Sequence, residues 1–183
     1  MRKSWLLIGF AIVLTVSAVT TLIEYQLLQN TEKNIAQPWM FKGAYATYDG
    51  QLNSLSTPYS LTAEIQVTEL NATHIQIRTN STIATSFTPA LSDQTILWIN
   101  KSNITFQPEG ETLARSYSTQ IAVKGNEKRD CIVYDYTNEG INVTYYIDKA
   151  LLWPVRIVYI TDFENQRYSL EFNLKDTNIS GFN

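Results

Sequence analysis

From Leu61 to Leu174, run after run of residues alternates between apolar and polar with a period of two. Leu61, Ala63, Ile65 and Val67 stand against Thr62, Glu64, Gln66 and Thr68, and Ile75 and Ile77 against His74, Gln76 and Arg78. The pattern returns at Ile132, Tyr134 and Tyr136, at Ile141, Val143, Tyr145 and Ile147, and at Val155, Ile157 and Tyr159. Its last instance sets Tyr168, Leu170, Phe172 and Leu174 against Arg167, Ser169, Glu171 and Asn173. Successive side chains of a strand point to opposite faces, so this period marks half-buried strands and rules out an amphipathic helix over the same residues. Each such strand carries one apolar face that must be covered.

The connectors are short. "ELNAT" (69–73), "TNEG" (137–140) and "TDFENQ" (161–166) are hairpin-sized and rich in turn formers. Earlier strands are expected over 40–49 and 113–124. Strands joined by short turns pair antiparallel, because a parallel pair needs a long crossover. Eleven Tyr and four Trp suit a pleated surface. The expected fold is therefore mainly β: an antiparallel curled sheet or half-barrel of eight to ten strands, following an N-terminal transmembrane helix. The segment 82–110 alternates least clearly, and is expected to be a loop or short helix plugging one mouth, with Trp98 and Phe106 as its apolar contacts. "DKALLWP" (148–154) reads as a corner between two strands. Pro154 opens the returning strand, where a missing amide proton does least harm, and Trp153 caps the end of the core.

The N-terminus sets the compartment. Trp5 to Ile23 is an uncharged run of about 20 residues, the length of a membrane-spanning helix. Arg2 and Lys3 precede it and Glu24 follows it, so residues 1–4 are expected in the cytoplasm and the rest outside. Cleavage after Ala18 is the competing reading, but "VTTLI" prolongs the apolar run and favours an uncleaved anchor. The expected organisation is a cytoplasmic tip (1–4), a transmembrane helix (5–23), a polar stalk (24–37) and an extracytoplasmic β domain (38–183). The acceptor triplet Asn-x-Ser/Thr occurs at Asn71, Asn80, Asn100, Asn103, Asn142 and Asn178, all on the outer side. Glycosylation of at least one of these asparagines is expected.

Searching for chemistry yields exclusions. His74 and Cys131 are each the sole residue of their type, so no His/Cys metal cluster and no disulfide form within one chain. His74 lies inside an alternating run and reads as a strand-face residue. No Gly-rich phosphate loop or nucleophile elbow is present, and a net charge of −3 gives no footprint for nucleic acid. Glu109, Glu111, Asp162 and Glu164 read as solvated turn charges. The charged stretch at Lys124, Lys128 and Arg129 reads as a hairpin tip, and Cys131 as a buried free thiol. No catalytic, cofactor or metal residues are assigned.

Residues 131–172, "CIVYDYTNEGINVTYYIDKALLWPVRIVYITDFENQRYSLEF", resemble the strand–turn–strand pattern of bacterial lipoprotein-carrier and related half-barrel proteins. There a strand ending in Asp-Lys leads through a Gly/Leu/Pro turn into the next strand. Here Leu152-Trp153-Pro154 occupies that turn, and the apolar anchor carries no lipidation cysteine. "GAYATYDG" (43–50) is similar to the start of the outer domain in membrane-anchored archaeal surface proteins. These resemblances imply a sheet curled over an apolar face and a lipid-like ligand. The functional expectation is a single-pass, membrane-anchored, non-enzymatic binding module for a hydrophobic ligand or partner protein. The alternative is a structural or assembly subunit of a surface or membrane complex.

Overall fold

The computed structural model describes residues 37–53, 59–84, 90–101, 112–123, 127–138, 140–163 and 166–182. The expected cytoplasmic tip, transmembrane helix and nearly all of the stalk lie outside the described residues. What is described is one antiparallel sheet of nine strands: β1 (Tyr45–Asn53), β2 (Tyr59–Leu70), β3 (His74–Ala84), β4 (Leu91–Asn100), β5 (Thr112–Ala122), β6 (Lys128–Asn138), β7 (Ile141–Asp148), β8 (Trp153–Phe163) and β9 (Gln166–Thr177). Their order is β4-β3-β2-β1-β9-β8-β7-β6-β5, open at both ends rather than closed into a barrel.

This order follows from local pairing. β1 to β4 form one meander and β5 to β9 another, each strand lying beside its sequence neighbour. The two meanders join where β1 runs antiparallel to β9, with Gly50 opposite Phe172 and Leu52 opposite Leu170. β4 and β5, consecutive in sequence, become the two opposite edges.

The alternation places the core as expected. Leu61, Ala63, Ile65 and Val67 of β2, Ile75 and Ile77 of β3, Val143, Tyr145 and Ile147 of β7, Val155, Ile157 and Tyr159 of β8, and Leu170 and Phe172 of β9 are all buried. They define an inner face. At Gly50 the face needs a missing side chain: a Cβ there would stand 2.6 Å from the Phe172 ring. One end of the core is closed by residues outside the strands, namely Trp39, Leu151 and Ile179. The Trp39 and Trp153 rings meet at 5.1 Å and 58°, so Trp153 does cap the core.

Two expectations are corrected. The described part of 82–110 is no plug: Leu91–Asn100 forms edge strand β4, paired along its length with β3. Trp98 lies opposite Gln76, on the outer face, and is 49% exposed. Its β4 neighbours Thr95, Leu97 and Ile99 take the inner positions opposite Thr79, Ile77 and Ile75. The alternation was hard to see because the face away from the core carries Ile96 and Trp98, so both faces read as apolar. Phe106 lies outside the described residues. The first strand also begins later than 40–49 suggests, because residues 37–44 form turns that carry Trp39 into the core.

Candidate functional site

The inner face is richest in polar handles on the β6–β8 side. Register places Tyr136 beside Val143, Tyr134 beside Tyr145, and Tyr145 beside Ile157. Tyr134 stacks on Tyr136 with centroids 6.4 Å apart, and Tyr136 meets Tyr145 edge-on at 6.0 Å. The Tyr145 and Tyr159 hydroxyl oxygens are 3.4 Å apart. Across the sheet, the Tyr48 hydroxyl donates to the Pro154 carbonyl at 2.9 Å, and burial pushes its pKa far above the usual tyrosine range. The Tyr48 phenol is therefore neutral at any physiological pH. Each of these tyrosines offers an apolar body and a hydrogen-bonding tip.

Coverage of this face falls off toward β5. Tyr145 and Ile157 are buried, Ile132 and Tyr134 are half-buried, and Ser116 and Ser118, opposite Tyr134 and Ile132, are exposed. The result is a floor that is apolar and aromatic in the middle and accessible along one rim.

The corner 148–154 has a different character. Asp148 is 2% exposed, and its Oδ1 accepts the backbone N–H groups of Ala150 at 2.8 Å and Leu151 at 3.0 Å. The Leu152 N–H returns to the Asp148 carbonyl at 2.8 Å, and Leu152 itself has a φ of 50°. This is an aspartate-capped turn, in which the side chain holds the backbone in a left-handed step. Oδ2 lies 3.7 Å from the Arg129 guanidinium. Arg129 also pairs with Glu127 at 2.8 Å, and its guanidinium sits 4.7 Å from the Phe182 ring centre. The corner expected at 148–154 is thus held by Asp148, whose side chain is committed to the turn, while Lys149 is exposed.

Arg129 does not behave as the solvated tip charge that the sequence suggests, since its side chain is only 11% exposed. The signal lay in the hairpin register. The turn after β6 sets Asn138 opposite Ile141 and hence Cys131 opposite Asp148. Arg129, two residues earlier, falls on the same face as Cys131. Cys131 is fully buried, and burial, helped by the Asp148 charge, pushes its thiol pKa up to about 11.

The glycosylation candidates occupy turns and the outer face. Asn71 is exposed in the β2–β3 turn, where its Oδ1 accepts the N–H groups of Thr73 and His74. Asn80 sits mid-strand in β3, half-buried, donating to Glu64 and accepting from Gln94. Asn100 ends β4, and Asn142 is exposed on β7 opposite Ile160. The Asn178 amide donates to the Gly43 carbonyl at 2.9 Å and its Oδ1 accepts the Tyr45 N–H. Asn103 lies outside the described residues, as do Lys124, Glu109, Glu111 and Glu164. The structure does not bring the asparagines together. Among the described residues, no cluster of three His, Cys, Asp or Glu side chains that could hold a metal forms.

Neither a protein-family model nor a curated protein sequence matches this chain. Among solved structures it is similar to a protein from Bacteroides fragilis described as exported and YmcC-like in fold, with 8% identity over 74% of this chain and 97% of that one, at a TM-score of 0.41. It is similar to a domain from Vibrio parahaemolyticus described as an outer membrane lipoprotein-sorting protein, with 12% identity, coverages of 78% and 87%, and a TM-score of 0.27. A DUF1329 family protein from Desulfovibrio piger gives 8% identity, coverages of 80% and 89%, and a TM-score of 0.27. At these identities and scores the likenesses carry no functional assignment.

Proposed function

We propose that this chain is a non-enzymatic binding module, held outside the cell membrane by its N-terminal apolar helix, which takes a hydrophobic, lipid-like ligand or partner protein on the inner face. The observation that supports this is the apolar and aromatic floor whose coverage falls off along the Ile132–Tyr134 rim. A ligand with an apolar body and one or two oxygen atoms suits an aromatic floor with the half-buried Tyr134 at its rim. The asparagines at 71, 80, 100, 103, 142 and 178 belong to the same reading, as glycan acceptors on the extracytoplasmic domain. Native mass spectrometry of the detergent-extracted full chain tests it. The expected spectrum shows the uncleaved chain with added glycan mass and a co-purifying ligand of lipid size. A bare, glycan-free chain with no bound mass would overturn the reading.

A second reading, an assembly subunit, is favoured by a separate observation. Ile96 and Trp98 on β4, and Leu113 and Tyr117 on β5, are large apolar side chains exposed at the two edges of the sheet. Exposed apolar residues gathered at an edge suit a protein contact.

A further inference from the structure

We infer that β5 is a dimerisation edge: two copies of this chain pair β5 against β5, antiparallel about a two-fold axis near Ser116, and merge their sheets. This goes beyond the ligand reading and concerns the free strand edge that adjoins the Ile132–Tyr134 rim.

The two edges of the sheet are not equivalent. From Thr112 to Ser118 every β5 residue is exposed, on the inner face as well as the outer. No other described strand pairs with its free side. A strand edge presents unpaired N–H and C=O groups, and proteins that stay monomeric blunt such edges with lysines, prolines or inward-pointing charges. β4 has such a device, since Asp93 lies opposite the buried Ser81 and so takes an inner-face position. β5, "TLARSYSTQIA", has no proline, no lysine and no acidic residue, and its one charge is Arg115. Its one irregularity, the bulge between Leu113 and Arg115, sits near one end and leaves Arg115 to Ala122 in unbroken register with β6.

The choice of a second copy as occupant comes from self-complementarity. Arg115, Tyr117 and Thr119 share the outer face, paired with Asp135, Val133 and Cys131, and Ser116 and Ser118 share the inner one. A two-fold axis through Ser116 sets Arg115 of one copy opposite Tyr117 of the other, twice. Within one chain the Arg115 guanidinium already lies 5.0 Å from the Tyr117 ring centre while pairing with Asp135. The dimer repeats that cation–aromatic contact across the axis. No like charges face one another. A two-fold interface needs one surface to be its own complement, and this strand is.

The test reads mass and register together in the detergent-extracted full chain. Native mass spectrometry is expected to give two 20.9-kDa chains plus any glycan. Tyr117→Lys sets a lysine opposite Arg115 and is expected to lower the dimer fraction at least tenfold, with an unchanged circular dichroism spectrum. Tyr117→Glu sets an acid opposite Arg115 and is expected to keep the dimer. Trp98→Lys, on the other edge, is expected to leave it untouched. Ser116→Cys is expected to cross-link two chains through a short bis-maleimide, because the buried Cys131 cannot compete. A monomeric native chain, a dimer that survives Tyr117→Lys, one lost on Tyr117→Glu or Trp98→Lys, or a Ser116→Cys chain that never cross-links would overturn the assignment. Loss of bound lipid without loss of the dimer would strike the ligand reading alone.

Discussion

Replacing Asp148 separates a structural carboxylate from a reactive one. In Asp148→Ala the turn loses both hydrogen bonds to Oδ1. Ala150 is exposed, so water replaces its partner, but Leu151 is buried and its N–H is left unsatisfied. A lost hydrogen bond to a charged group amounts to about 1.5–3 kcal/mol. Arg129 loses its 3.7 Å partner as well. Removing one side of a buried ion pair costs about 3–5 kcal/mol when nothing else compensates. Here Glu127 still holds the guanidinium, so only part of that applies, and the expected total is about 3–5 kcal/mol. Asp148→Asn keeps a carbonyl oxygen for both backbone donors and gives up only the charge, for an expected loss of about 1–2 kcal/mol. Guanidinium titration of the full chain in detergent, followed by tryptophan fluorescence, to which the buried Trp39–Trp153 pair contributes, measures both. An asparagine variant as damaged as the alanine one, or an alanine variant within 1 kcal/mol of the native chain, would refute the capped-turn account.

Three further outcomes follow from the packing. Gly50→Ala drives a methyl group into the Phe172 ring, at 2.6 and 2.7 Å from two of its carbons; the expected destabilisation is about 1–3 kcal/mol, read by the same titration. Trp98→Ser removes a side chain that leans on the outer surface rather than the core, so its effect is expected within about 0.5 kcal/mol; a loss of several kcal/mol would restore it to the core. The Cys131 thiol is expected to resist maleimide at pH 8 until the chain unfolds. Between its ordinary 9.0 and about 11 the unfolded chain gives up a proton that the folded chain keeps, so stability falls as pH rises through that window. Cys131→Ala is expected to flatten that part of the stability–pH curve.

Most of the sheet was legible because its strands are one-sided. In β2, β3, β7, β8 and β9 the alternation is a direct record of which residues meet the core. β4 failed because an edge strand with Ile96 and Trp98 on its outer face presents two apolar faces, and period-two contrast vanishes. β6 is a partial case: Ile132, Tyr134 and Tyr136 face inward as read, yet Val133 is also buried, between Tyr117 and Tyr146 in register on the outer face. The corner was placed correctly by Pro154 and Trp153, but the Arg129–Asp148 contact spans two strands and required the hairpin register. The tyrosine group of the inner face was visible only as separate strand residues. Its convergence depends on the pairing of β6 with β7 and β7 with β8.

The β1–β9 seam also dictates an order of events. Every other strand pairing joins sequence neighbours and can form as soon as both strands exist, whereas this one sets Ala46, near the start of β1, opposite Thr177, at the end of β9. Closing so long a loop is the entropically expensive step in building the sheet. During synthesis β1 emerges before β9, so its β9-facing edge stays unpaired until β9 has left the ribosome. For most of its early life the chain therefore holds a half-sheet with an open hydrogen-bonding flank, vulnerable to the wrong partner. Arrival of β9 turns two meanders into one sheet.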